Sequence, residues 1–271
     1  MADCYDWLYF SPHLDDVALS CGGQIAQNVQ RGQSVLIVTV MAGDPPADGV
    51  SGYAQSLHDR WQLAADAAAG RRQEDLDACR ILGADALHWD VPDCIYRTHP
   101  QNGEPFYVSD DDIFGAVAPA ETELLYTLAS RMQSLPAHQR LVVPLTVGNH
   151  VDHQLVRQAA ERCFGTAALD YYEDYPYAQD GDAVAATIAA QAGVWRAEVA
   201  PLSAAALETK IAAIRAHRSQ LSTFFADERD LREQVTRFAE TVGGERLWRR
   251  LESPAGEVPA RLSEPCAGNS S

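Results

Sequence analysis

An apolar run, a helical pattern and a second apolar run open the chain in that order, which leaves few folds available to it. Residues 7–10, Trp-Leu-Tyr-Phe, are short, aromatic-rich and bounded by Asp6 and Pro12, as suits a buried strand. Residues 17–30 carry Leu19, Ile25, Ala26 and Val29 at roughly helical spacing and are closed by Gly32. Residues 34–41 form a β-branched run fit for a central strand. Strand, helix and strand on short links predict a parallel α/β sheet with a right-handed crossover. The alternation continues. A loop over 43–52 is long enough to border a site, and a helix rich in Ala and Arg is expected over 56–82. After a short strand at 86–89 comes an irregular insertion over 92–119, then a helix at 120–133 and a strand at 140–145. An amphipathic helix over 150–164, a strand at 169–172 and a strand-end loop at 173–177 follow. Helices at 203–223 and 230–241 form a helical C-terminal part. We expect one α/β domain over 1–250, a mostly parallel sheet flanked by helices, and a loose Pro-, Gly- and Ser-containing tail over 251–271.

Bulk chemistry excludes several partners. A net charge of -17 and a pI near 4.7 argue against nucleic acid, whose phosphates are tracked by clustered Lys and Arg. Lys210 is the only lysine, so no polybasic run exists to hold an anionic membrane. Nowhere do about 18 apolar residues run together, and the first residues lack a basic stretch followed by an apolar one. No transmembrane segment and a cytoplasmic location are expected. The six cysteines are dispersed without a C-x-x-C pair, which disfavours both a disulfide framework and a zinc-cysteine site.

Chemistry concentrates at two strand-to-helix junctions. Ser11-Pro12-His13-Leu14-Asp15-Asp16 follows the first strand, and His150-Val151-Asp152-His153 follows the run 141–147. Ligands of open α/β sheets bind at the carboxyl ends of strands, so the two motifs can meet there. His13 and Asp16, three residues apart, reach one point if the turn is helix-like, and His153 supplies a third donor; two imidazoles and a carboxylate suffice for a catalytic divalent ion. Asp15 points away from its neighbour and is free to act as a base toward an attacking water. His150, one turn before His153, is placed to hydrogen-bond a developing oxyanion and to protonate a leaving amine, with Asp152 expected to hold it charged. Each motif has a plain structural alternative, since Asp15, Asp16 and Asp152 are also residues that cap helices. Gly22-Gly23 is not a dinucleotide fingerprint, because no G-x-G-x-x-G is present, and is expected to allow close packing of the first helix on the sheet.

The paired motifs resemble those of the PIG-L/LmbE-like family of metal-dependent N-acetylglucosamine deacetylases. Pro12-His13-Leu14-Asp15-Asp16-Val17 followed by Gly22-Gly23 is similar to its Pro-His-Pro-Asp-Asp-Glu and Gly-Gly signature, and residues 150–153 to its His-x-Asp-His. The resemblance spans about residues 5–180. It implies a Rossmann-like α/β fold, zinc with Fe2+ as the alternative ion, and removal of an N-acyl group from a small-molecule glycoconjugate. Residue by residue, it implies metal ligands at His13, Asp16 and His153, a base at Asp15, an oxyanion-stabilising acid at His150 and its partner at Asp152. Arg71, in an Arg-x-x-Glu with Glu74, resembles a substrate-contacting arginine, and Asp93 a residue that binds sugar hydroxyls; an exposed helical arginine and a turn residue are the alternatives. Leu14 and Val17 depart from the family's proline and glutamate, which leaves the metal chemistry intact and places the substrate in a separate branch. Tyr172, among the tyrosines of 171–177, and Arg97 with Tyr96 are expected at the mouth of the site. A sugar-binding homologue without catalysis and a nucleotide-using Rossmann transferase are the rival readings, and a homo-oligomer stays open.

Overall fold

The computed structural model describes residues 2, 4–47, 49–60 and 67–251. The chain runs β1 (Cys4–Ser11), α1 (Asp16–Gln30), β2 (Val35–Thr39), α2 (Gly52–Arg60), α3 (Ala67–Leu82) and β3 (Asp85–His88). It continues through α4 (Asp110–Ile113), α5 (Thr122–Met132), β4 (Ala137–Pro144), α6 (Val151–Phe164), β5 (Leu169–Tyr172) and α7 (Gly181–Ala189). The last elements are β6 (Val194–Ala200), α8 (Ala204–Ala216), α9 (Arg218–Phe224), α10 (Glu228–Val242) and β7 (Glu245–Leu251).

The described strands form one sheet in the order β3-β2-β1-β4-β5-β7-β6. β3 to β5 are parallel, β7 runs antiparallel to β5, and β6 antiparallel to β7. From β1 the chain builds outward through β2 and β3, then returns to build β4 and β5 on the other side. That reversal opens a crevice at the carboxyl ends of β1 and β4, the position at which such sheets take ligands.

Both faces of the parallel strands are covered, which explains their near-continuous apolar runs. Leu8, Phe10, Leu36, Val38 and Val143 pack against Leu128 and Met132 of α5 and Leu155 and Ala159 of α6. Tyr9, Ile37 and Val142 face the other way, onto Val17 and Ile25 of α1, Leu82 of α3 and Ala213 of α8. Each fully buried side chain of this kind contributes about 1.5–3 kcal/mol, so these two layers fix the strand ends from which the site is built.

Elements predicted up to residue 172 are present with shifted ends, β4 starting at Ala137 and α1 at Asp16. The helix expected over 56–82 is divided into α2, which begins inside the expected loop, and α3; residues 61–66 lie outside the described residues. The helix expected over 203–223 breaks at His217 into α8 and α9. Gly23 and its neighbour allow close packing as expected, but against the approach to α8 rather than the sheet: a Cβ on Gly23 would lie 2.5 Å from Leu202 Cδ1. Sequence patterning does not anticipate α7, β6 or β7. β7 holds Arg246, Arg249 and Arg250, and an antiparallel strand wetted on one face needs no apolar run. Gly244 lies at φ 139 and admits β7, because a Cβ there would fall 2.0 Å from the Ala200 carbonyl oxygen. The expected tail lies outside the described residues apart from Leu251, which ends β7. No helix among the described residues is long and apolar enough to cross a membrane.

Candidate metal centre

β1 hands over to α1 through a tight turn. Ser11 Oγ accepts the Val17 N–H at 3.2 Å and donates to the His13 carbonyl at 2.6 Å, while Asp16 Oδ2 accepts the His13 N–H at 2.7 Å. Asp15 is the N-terminal cap residue of α1, yet its side chain accepts no helix N–H. The capping alternative therefore does not account for Asp15, whose carboxylate is left for the cavity it lines.

β4 hands over to α6 through a loop with Thr146, Gly148 and Asn149 at φ 69, 87 and 64. Asn tolerates that region, whereas Thr146 is strained and must be held by its surroundings. Asp174 holds the loop by accepting the Val147 N–H at 2.9 Å, and Asn149 Nδ2 donates to the carbonyls of Phe114 and Gly115 at 3.0 and 2.8 Å. His150 caps α6, its Nδ1 accepting the Asp152 N–H at 3.2 Å.

The two junctions meet as the sequence predicts. Asp16 Oδ2 lies 3.3 Å from His13 Nδ1 and 3.3 Å from His153 Nε2. A tetrahedral ion about 2.0–2.1 Å from each donor separates donors by about 3.3 Å, which the two distances from Asp16 match. The second nitrogen of each imidazole is tied to a buried carboxylate: His13 Nε2 to Asp152 at 2.9 Å and His153 Nδ1 to Asp174 at 2.6 Å. Such partners fix ring orientation and tautomer in metal sites. Among the described residues three further groupings bring ligand atoms within 4.8 Å of one another, one of them His13, Asp93 and Asp152. His13, His150 and His153 offer nitrogens only within 4.8 Å of one another, and Cys94, near His150 and Asp152, has its thiol pushed well up by burial and Asp152.

Asp152 is the first correction. Its carboxylate takes no hydrogen bond from the His150 ring; it accepts from His13, from the Cys94 N–H at 3.0 Å and from Arg97 Nη1 at 2.5 Å. Burial opposes its ionisation, but Arg97 and His13 hold it well below the usual carboxylate range. His150 is therefore not held charged. Burial, then His13, lower it to about 3, and because a backbone N–H can only donate, Nδ1 must accept and the ring proton sits on Nε2.

Charge around the donors follows from the same contacts. Burial opposes ionisation of Asp16, and His153 and His13 overcome it and hold the group well down. Burial, with Asp16 adding to it, raises Asp15 above the ordinary carboxylate value. For the imidazoles burial favours the neutral form, but Asp152 and Asp16 hold His13 well up and Asp16 and Asp174 raise His153 to about 9. Because both values are raised, these pairs stabilise the metal-free fold most below the unfolded value of 6.5, and the His153 share is lost as pH rises through about 9. A cation must displace one proton from each ring. We expect protons to be released on ion binding at pH 7, the His153 share falling as pH rises through about 9, when calorimetry is run in buffers of different ionisation enthalpy. Proton-neutral binding at pH 7 would show that these rings are not the donors.

A cavity of about 190 Å³ opens over the centre. Asp15, Arg71, Asp93 and His150 line it, as expected, together with His13, Asp16 and His153. Asp93 also caps the turn Cys94–Tyr96 and reaches within 3.8 Å of His13. Arg97 and Tyr172 do not line it. Arg97 is buried between Asp152 and Glu121, and Tyr172 is wholly buried beneath the centre. Tyr177, from the tyrosine-rich segment expected at the mouth, lines it, and Phe114, Phe224 and Gln220 do so without having been anticipated. Asp174 was missed too, although it lies inside the tyrosine-rich strand-end segment; only its position after a strand pointed to it.

A family model described as GlcNAc-PI de-N-acetylase, PIG-L, matches residues 8–164. The chain belongs to the PIG-L family. Among curated relatives, the 2'-N-acetylparomamine deacetylase of Niallia circulans is 28% identical over 189 residues, 64% of this chain and 68% of that protein. Its counterpart from Streptomyces fradiae is 32% identical over 181 residues, 65% of this chain and 59% of that protein. The zinc-inhibited crystal form of the teicoplanin deacetylase Orf2 superposes with a TM-score of 0.76 at 28% identity, covering 92% of this chain and 99% of that one. Both PIG-L motifs fall inside the matched segment, and the His/Asp set at their meeting point is of the kind that holds a divalent ion.

Proposed function

We propose that this PIG-L protein, through one domain over residues 1–250, is a zinc-dependent hydrolase that removes an N-acetyl or other N-acyl group from a GlcNAc-containing glycoconjugate or related small metabolite, with Fe2+ as the alternative ion. The observation that carries this is the juxtaposition of Asp15, uncommitted as a cap, with His13, Asp16 and His153, whose spacing suits one cation. The deacetylases of 2'-N-acetylparomamine and teicoplanin among its relatives support a linear N-acyl amide on a glycoconjugate.

The ion, when bound, supplies Lewis acidity and makes a water acidic enough to lose its proton near neutral pH. Asp15 takes the proton of the attacking water. His150 Nε2–H hydrogen-bonds the oxygen on which negative charge develops as the acyl carbon becomes tetrahedral. Asp15 then returns its proton to the departing nitrogen, completing the exchange of C–N for C–O. Arg71 and Asp93 on the wall hold substrate polar groups, and Phe114 and Tyr177 offer ring faces to a sugar.

Acetate release from a panel of GlcNAc conjugates by metal-loaded protein tests the reading, with loss on chelation and recovery on zinc addition expected. His13→Ala and His153→Ala should bind metal much more weakly by elemental analysis, since each removes one of three donors. Full occupancy in both would remove its basis. Nucleotide binding with no metal would favour the transferase, and metal with sugar binding but no turnover the inactive homologue.

A further inference from the structure

β6 ends the sheet, paired with β7 on one side and with no other strand among the described residues. Its residues Val194–Ala200 include no proline and run against β7 in one unbroken register. Folded proteins usually blunt such an edge with a proline, a bulge or a cover, because its unpaired N–H and C=O groups accept another strand. Large apolar side chains are left exposed at the same place: Val194 at 62%, Val199 at 40% and Leu251, the register partner of Val194, at 37%. Exposed apolar groups gathered at one spot mark a contact surface. The two charges of β6 are of opposite sign. Arg196 lies opposite Arg249, whose own charge is taken by Asp170 at 2.7 Å, and among the described residues Arg196 makes no ion pair. Glu198 meets Arg140 at 3.1 Å and stays 56% exposed. Alternation along the strand puts Val194, Arg196, Glu198 and Ala200 on one face and Trp195, Ala197 and Val199 on the other.

We propose that β6 is the contact of a two-fold homodimer, in which it pairs antiparallel with β6 of a second copy of this chain and the two sheets become one. With the axis at Ala197, the middle of the strand, Val194 faces the partner's Ala200, Trp195 the partner's Val199 and Arg196 the partner's Glu198. Every cross-strand pair is then apolar with apolar or positive with negative. Opposite charges directly across an antiparallel pair are favourable and like charges are not. Moving the axis to Arg196 or to Glu198 would set that charge against its own copy, so the strand's sequence selects one register. Each copy presents the same patch to the other, and the pairing consumes the open edge, which closes the contact at two copies. None of Val194–Ala200 is among the residues that line the cavity over the metal centre, so the dimer does not depend on the reaction.

Sedimentation velocity of the full chain over a concentration series should show a monomer–dimer equilibrium, and hydrogen exchange over residues 194–200 should slow as the dimer forms. Arg196→Glu and Glu198→Arg each set like charges across the contact twice, and each alone should weaken self-association by about tenfold or more. Mixed in equal amounts, the two variants should associate with each other about as tightly as the parent does with itself, because two acidic side chains of one then face two basic side chains of the other. Rescue between chains cannot come from an effect on the fold of either variant. A monomer at every concentration up to about 1 mM, or a mixture that associates no better than its components, would overturn the proposal. So would a dimer that both variants leave intact, since its contact would lie elsewhere. Slow exchange over 194–200 in a protein that stays monomeric would mean that residues 252–271 cover the edge, which also overturns it. Should Glu198→Arg, which loses the contact with Arg140, fold poorly, Val199→Asp takes its place: it sets a carboxylate against the partner's Trp195 and should weaken the dimer by a similar factor, and an unchanged dimer in that variant counts against the pairing.

Discussion

Asp15→Asn should lower turnover by about two to four orders of magnitude while leaving the metal in place, because an amide of the same shape cannot take a proton from water. Asp15 is not spent on capping α1, and the proposed donors His13, Asp16 and His153 are untouched by the substitution. Burial, and then Asp16, raise the Asp15 value, so activity in the wild type should fall as pH drops through that raised value, where the base becomes protonated. The same sign makes the ionised group a cost to the folded state at neutral pH, and the amide variant should be at least as stable as the parent. Acetate release, metal content and thermal unfolding of the one variant give the three readings together. Wild-type turnover in Asp15→Asn would transfer the base role to another group.

Arg97→Ala should destabilise the fold by about 3–5 kcal/mol, the range typical of removing one partner from a buried ion network. Arg97 is 7% exposed and lies between Asp152, 0% exposed, and Glu121, 3% exposed. Its Nη1 is 2.5 Å from Asp152, its Nε bonds Glu121, and Tyr107 Oη also donates to Glu121 at 2.5 Å. Without the guanidinium two carboxylates stay buried with less compensation. Asp152 would also lose the charge that holds it ionised against His13, so metal affinity should weaken along with stability. Denaturant unfolding of the metal-free variant measures the first effect. A midpoint within about 1 kcal/mol of the parent's stability would mean that water reaches this network.

The parallel half of the molecule was legible from sequence, because strands buried on both faces must be apolar throughout and helices between them must carry an apolar stripe. Both metal-site motifs were legible for a related reason: His13, Asp16 and His153 sit where strands end, and the strands could be found. What escaped was pairing across sequence. Asp152 was assigned to His150, its neighbour in the chain, whereas its carboxylate reaches His13, 139 residues away. Arg97 was placed at the mouth because its segment is irregular, and no local pattern reveals Glu121 as its counterion. The break at His217 was hidden inside a stretch that reads as one continuous helix, and β6 and β7 by the arginines and glutamates of strands wetted on one face.

The buried contact of Glu245 ties the helix that presents the site to a distant part of the chain. Glu245, the first residue of β7, accepts the N–H groups of Gly23 and Gln24 at 3.0 and 2.6 Å and pairs with Lys210 of α8 at 2.6 Å. Helix α1, whose first turn presents Asp15 and Asp16, is thus fastened midway by a residue some 220 positions later in the chain. The segment that the family model matches ends at residue 164, well short of that fastening. A fragment cut at the matched boundary would hold the proposed donors His13, Asp16 and His153 and still lack the Glu245 carboxylate to which Gly23 and Gln24 donate in the longer chain. In a survey of shortened relatives, the motif alone is therefore a poor guide to competence; an acid in the terminal strand and a base in the helix beneath it are the residues to look for.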